Sequence, residues 1–91
     1  MPPLSGYPNK QFELTTQKLK GIEFYLFEPK GFNYNWLHMV RWATETFSDP
    51  GKIWPEHNFV WPQDIRWGTN LGNFWFRNEA DRTLFLLRWK E

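Results

Sequence analysis

Few side chains in this sequence of 91 residues are suited to acid–base or nucleophilic chemistry. There is no cysteine, which excludes a thiolate nucleophile and a cysteine-type zinc site. The two serines, Ser5 and Ser48, lie outside the Gly-x-Ser-x-Gly pattern that exposes a serine nucleophile. His57 follows Glu56 and could exchange protons together with Asp64, as histidine–carboxylate pairs do. No motif predicts a catalytic residue, and a small enzyme centred on His57 stays as one alternative.

The two histidines, His38 and His57, do not fit a metal-binding pattern either. They lie much further apart than the about three to five intervening residues of a zinc-binding histidine pair. The glycines at 68 and 72 are not followed by the lysine and serine or threonine of a phosphate-binding loop. We therefore interpret this segment as a turn, and we expect neither a metal nor a cofactor.

Aromatic residues are the unusual feature of the chain, at 21% of its residues and with seven tryptophans. A domain this small needs most of these rings in its core to offset the entropy of ordering the chain. Trp42 lies off the apolar side of a predicted helix and Trp54 follows a proline–glycine turn, whereas Trp61 is expected in the core. We predict a binding site with Trp42 and Trp54 as anchors and with His38 and His57 as its polar rim.

The charge of the chain favours a protein partner. Net charge is +1, from 11 Lys and Arg and 10 Asp and Glu residues, whereas proteins held to nucleic acid by phosphate contacts carry a larger excess. We therefore favour a non-enzymatic binding module that docks on another protein through exposed tryptophans. The alternative is a binder of single-stranded nucleic acid or a nucleotide, in which Tyr25, Phe27 and Trp75 stack on bases. A second copy of the chain also stays open as a partner.

No segment of the sequence predicts a membrane association. The apolar stretches are a few residues long, far short of the about 20 residues of a spanning helix. The first ten residues lack the basic and apolar regions of a signal peptide. We expect no membrane partner and a cytoplasmic location.

The periodicity of apolar residues predicts an α+β fold. Three prolines in residues 1–10 predict an irregular arm, and residues 11–91 are expected to form a single domain. Residues 11–19 are predicted to form a strand or an extended entry, and residues 21–29 a strand inside the sheet. A helix over 33–48 follows, with Asn33 or Asn35 as its cap. The later pieces are strands at 59–61, 65–67 and 73–77, a turn at 68–72, and a short helical turn after 78 that leads into a final strand. The expected architecture is a small single sheet of about four strands with one main helix on one face, in a ferredoxin-like arrangement.

The last third of the chain carries a loose motif. Phe74-Trp75-Phe76 is followed by a charged turn with Glu79 and Asp81, and then by Phe85-Leu86-Leu87-Arg88-Trp89. This pattern resembles the C-terminal ends of short uncharacterised proteins of tailed bacteriophages. It departs from them at Arg82, where those proteins often have a second alanine. The resemblance implies a viral origin and action in the cytoplasm of the infected cell, so the protein partner favoured above would be a host or viral protein. It implies no catalytic residue.

Overall fold

The computed structural model describes residues 11–30 and 34–89, which form one sheet and two helices. The predicted irregular arm at 1–10 lies outside the described residues. In chain order the elements are β1 (Gln11–Leu19), β2 (Ile22–Lys30), α1 (Trp36–Phe47), β3 (Gly51–Trp54), a 3₁₀ turn (Pro55–His57), β4 (Phe59–Trp61), β5 (Trp67–Asn70), β6 (Asn73–Phe76) and α2 (Glu79–Trp89). The strand order across the sheet is β1-β2-β6-β5-β3-β4, and only the β3–β5 pair is parallel.

The α+β class with one sheet is confirmed, whereas the prediction of about four strands is wrong. Two strands were missed or mistaken for turns in the six-stranded sheet of the described chain. Residues 51–54 form β3, which pairs with β4 on one side and β5 on the other, and residues 68–70 belong to β5. A hairpin before the first helix and a run of four strands between the two helices depart from the ferredoxin-like βαββαβ order.

Both tight hairpins follow from local sequence. The β1–β2 turn is Lys20-Gly21 and the β5–β6 turn is Leu71-Gly72, and all four residues have positive φ, between 55° and 83°. Two central residues with positive φ are the geometry of a type I′ turn, whose twist matches that of the flanking strands. Glycine at the second position makes this conformation accessible without steric cost.

The sheet buries side chains on both faces, because its strands alternate. On the helix face, both helices cover four aromatic residues of β2, β5 and β6. The buried members of this helix-face core are Phe27, Trp67, Phe74, Phe76, Met39, Ala43, Phe47, Phe85 and Trp89. The second face buries its own cluster, which consists of Leu19, Phe24, Leu26, Ile53, Val60, Ile65 and Trp75.

The second core has no helix over it, and the turns of two hairpins meet there instead. The backbone N–H of Lys20, in the β1–β2 turn, donates a hydrogen bond of 2.6 Å to Oδ1 of Asn58, in the β3–β4 turn. The Lys20 ammonium lies 5.0 Å from the centroid of the Phe59 ring. These contacts join hairpins from opposite ends of the strand order, so the sheet curves around its second core.

Of the two asparagines predicted as possible caps, Asn35 caps α1, because its side chain accepts a hydrogen bond of 3.1 Å from the backbone N–H of His38; Asn33 lies outside the described residues. The apolar residues Trp36, Val40, Ala43 and Phe47 are spaced so that they share one side of α1. Ala43 and Phe47 face the core, as this spacing predicts. Trp36 is instead 40% exposed, because the first turn of α1 leaves its ring only tilted against Phe74, at 6.3 Å between centroids.

The prediction of a final strand is wrong, because residues 79–89 form the continuous helix α2. Asp81, Phe85 and Trp89 recur every four residues and are the buried positions of this helix. Phe85 lies at the centre of the helix-face core, with ring centroids 4.6 Å from Phe74 and 5.2 Å from Phe27. A strand would have required Leu87 on the buried side, but Leu87 is 60% exposed.

Arg66, next to β5, forms hydrogen bonds to both helices. Its Nε and Nη2 donate to the two carboxylate oxygens of Asp81 at 2.8 and 3.2 Å, and Nη1 donates to the carbonyl of Phe47 at 3.3 Å. The hydrogen bonds that Arg66 donates to the Asp81 carboxylate raise the pKa of its guanidinium. The residue just before β5 thereby holds the last turn of α1 and the first turn of α2 in place.

Candidate binding surfaces

A cleft of about 330 Å³ opens between α1 and α2, on the outer side of the helix pair. We call it the helix cleft. It is lined by His38, Arg41, Trp42, Glu45, Arg88 and Trp89. Two of the four residues predicted for the binding site, Trp42 and His38, therefore lie together here. Its volume is at the lower end of the range of small-ligand sites.

Trp42 forms a wall between the helices. Its ring meets Phe47 edge-on at 5.7 Å, Trp89 edge-on at 6.3 Å and Phe85 at a tilt at 6.0 Å between centroids. The residue lies off the most buried side of α1, as predicted, but α2 covers that flank and leaves Trp42 half-buried. The expected exposed anchor is thus a rigid wall of the cleft.

Charged groups of both signs line the helix cleft, with arginine in excess. Arg41 and Glu45 are one turn apart on α1, and the guanidinium of Arg88 lies 4.3 Å from the ring centroid of Trp89. Two guanidinium groups therefore line the cleft beside one carboxylate. The cleft therefore attracts an anionic group more than a cationic one.

Exposed leucines extend this surface along α2. Leu84 is 46% exposed and Leu87 is 60% exposed. Leu84 lies one turn before Arg88 and therefore shares its side of the helix, while Leu87 lies on the adjoining flank. Apolar side chains thus border an arginine-lined cleft.

The other two predicted site residues lie elsewhere. Trp54 is at the end of β3, and His57 is exposed in the following 3₁₀ turn. Trp54 lines a second cleft, of about 410 Å³, together with Lys52, Thr69 and Asn70 among others. The structure therefore brings Trp42 and His38 together at the helix cleft, whereas Trp54 lines the second cleft and His57 lines neither of the two.

The expectation that Trp61 belongs to the core is wrong, because its side chain is 60% exposed. In the β3–β4 ladder Lys52 is opposite Trp61 and Trp54 is opposite Phe59. The pair between them, Ile53 and Val60, is buried in the second core, so these four side chains project from the opposite face. We call Lys52, Trp54, Phe59 and Trp61 the aromatic face. Counting alternate residues from Val60 would have revealed it in the sequence.

The three aromatic residues of the alternative nucleic-acid site do not share an accessible surface. Phe27 is fully buried under the helices, and Tyr25, on the same face, lies 5.4 Å beneath the guanidinium of Arg82. Trp75 is 2% exposed and belongs to the second core on the other face. The condition for stacking on these three rings, a common face away from the helices, is not met.

The residues that were candidates for acid–base chemistry around His57 are exposed to solvent. Glu56, His57 and Asp64 are all exposed, and His57 lines neither of the two clefts. Within residues 11–30 and 34–89, no three histidine, aspartate or glutamate side chains gather as metal ligands do.

Comparison with models of protein families, with curated proteins and with solved structures finds no match for this chain. The resemblance to bacteriophage proteins therefore stays a prediction. Neither helix of the described chain has the length and apolar character needed to cross a membrane.

Proposed function

We propose that the protein is a non-enzymatic binding module that docks on a protein partner through the helix cleft and the neighbouring leucines of α2. The observation that carries the proposal is the combination of a tryptophan-walled cleft, two arginines and exposed leucines on one side of the helix pair. Tryptophan and arginine are the residue types most enriched among the energetic hot spots of protein interfaces.

The walls of the cleft support docking because they are already held in place. Trp42 is fixed by ring contacts to Phe47, Phe85 and Trp89, so little side-chain entropy is lost when a partner covers it. Arg88 lies against the Trp89 ring, which orients its guanidinium. A partner group therefore meets a preformed surface.

The arginines of the helix cleft and the leucines beside it favour different groups on the partner. Arg41 and Arg88 favour a carboxylate, which a guanidinium can hold with two parallel hydrogen bonds. Leu84 and Leu87 favour apolar side chains on the same partner segment. The partner proposed for this surface is thus an acidic segment with apolar residues, from a host protein or another viral protein.

The test is quantitative capture of proteins by the tagged chain from bacterial lysate that has been treated with nuclease. Arg88→Glu is the decisive variant, because it places a carboxylate where the partner's carboxylate would bind. We expect it to reduce the captured partner about tenfold. Leu87→Ser should weaken capture in the same direction, because it removes exposed apolar area from the border of the cleft.

Lys52→Glu is the matched control, because it makes the same change of charge at an exposed position on the aromatic face. A partner lost with Arg88→Glu and retained with Lys52→Glu supports docking at the helix cleft. Equal capture by the wild type and both variants overturns it. Light scattering then separates a second copy from a foreign partner, since a mass that rises with concentration and falls in Arg88→Glu indicates self-association.

A further inference from the structure

We infer that the aromatic face of β3 and β4 binds single-stranded nucleic acid by stacking bases on its tryptophans. This site goes beyond the proposed docking function and uses none of the residues of the helix cleft. It also differs from the combination of Tyr25, Phe27 and Trp75, whose rings do not share an accessible face.

The pairing of β3 with β4 places the aromatic rings of the two strands next to one another. Trp54 is directly opposite Phe59, and their ring centroids are 5.3 Å apart with an interplanar angle of 33°. Trp61 lies two residues along β4 from Phe59 and projects from the same face. With 60% of Trp61 exposed and Trp54 half-buried over Phe59, the face offers two indole surfaces on adjacent strands.

The charge of the face is complementary to a phosphate backbone. Lys52 is opposite Trp61, and the Lys20 ammonium lies 5.0 Å from the ring of Phe59. The neighbouring strand β5 adds Thr69, which is opposite Phe74 on the same face and lines the adjoining cleft with Lys52 and Trp54. The side chains of this face thus comprise lysine, aromatic rings and a hydroxyl, without a carboxylate.

Acidic residues nearest in sequence lie off the face. Asp49 precedes β3, Glu56 is in the 3₁₀ turn and Asp64 is in the loop after β4, so all three are beyond the ends of the paired strands. Stacked bases with a lysine-bound backbone are the general mode of single-strand binding, which tolerates any sequence because every base has a π face. A duplex keeps its bases stacked on each other and offers these indoles no free face.

The experiment measures fluorescence anisotropy of a labelled oligothymidylate of about twelve nucleotides, within the range of single-strand site sizes, as the protein is added. Two further probes are used: an abasic oligonucleotide of the same length, which has the same backbone charge, and the corresponding duplex, whose backbone charge is about twice as large. We expect binding of the oligothymidylate and much weaker binding of the other two. Trp61→Ala should weaken the oligothymidylate complex at least about fivefold, the loss of one base–aromatic stack. Lys52→Gln should reduce the slope of log affinity against log salt by about 0.7, the value of one phosphate contact.

The control variant is Leu37→Ala, which removes an apolar side chain that is 72% exposed from α1, outside both proposed binding surfaces. It should bind the oligothymidylate as the wild type does. No anisotropy change at about 100 μM protein, the weak end of non-specific nucleic-acid binding, overturns the inference. Equal affinity for the abasic strand also overturns it, because it reduces the contact to charge alone. Equal losses in Trp61→Ala and Leu37→Ala do the same, because the effect is then not specific to this face.

Discussion

The ion pair between Asp81 and Arg66 should contribute more to stability than other ion pairs of the chain. Asp81 accepts both guanidinium hydrogen bonds at 2.8 and 3.2 Å, and its side chain is 12% exposed. The Arg66 side chain is 49% exposed, so removing Asp81 leaves a cation that water can still solvate. The expected coupling therefore lies between the about 0.2–1 kcal/mol of surface pairs and the about 3–5 kcal/mol for breaking a buried pair. We place it at about 1.5–2 kcal/mol, a value that already allows for solvent screening.

A double-mutant cycle of Asp81→Ala and Arg66→Ala, followed by urea unfolding, measures this coupling. The cycle is needed because Arg66→Ala also removes the hydrogen bond to the carbonyl of Phe47 and a cation–π contact of 5.1 Å with its ring. Those losses appear in both arms of the cycle and cancel.

The control is the same cycle on Lys30 and Glu13, an ion pair of 3.8 Å between side chains that are 46% and 64% exposed. Its coupling should be below about 0.5 kcal/mol and should fall further with added salt. A coupling between Asp81 and Arg66 that is no larger than this control would refute the reasoning that burial and two-point geometry strengthen the pair.

Three other positions give predictions that follow from single contacts. Gly51→Ala should cost about 1–3 kcal/mol in urea unfolding, because the added methyl group overlaps the Ile65 side chain. Ile65→Ala opens a cavity in the second core, and the double variant should lose less stability than the sum of the two single losses. Asn35→Ala should cost about 1 kcal/mol because the N–H of His38 loses its cap, whereas Asn35→Ser should cost less; equal melting temperatures would contradict this. Burial raises the pKa of Tyr34, so the neutral phenol is favoured in the folded state and stability should fall as pH rises above about 10. Tyr34→Phe should flatten that fall between about pH 9 and 11 in thermal melts; an unchanged pH profile would contradict this assignment.

The candidate sites show what could be predicted about function. The sequence identified Trp42 and His38 as neighbours on one flank of α1, since both positions follow from helical periodicity. It could not foresee that α2 would cover part of Trp42, because that packing joins residues 42 and 89. It placed Trp61 in the core on the ground of area alone, although the alternation through Val60 assigns Trp61 to the exposed face.

Some elements depend only on interactions between residues that are neighbours in the sequence. The β1–β2 hairpin, the capped start of α1 and the opposite faces of Phe74 and Trp75 all follow from turn chemistry or periodicity within a few residues. Only the tertiary structure decided that residues 51–54 are a strand, because their two partners come later in the chain and one of them is parallel. It also decided that residues 79–89 are helical. Their apolar pattern fits both a helix and a strand, and the aromatic core that receives Phe85 is built from residues distant in sequence.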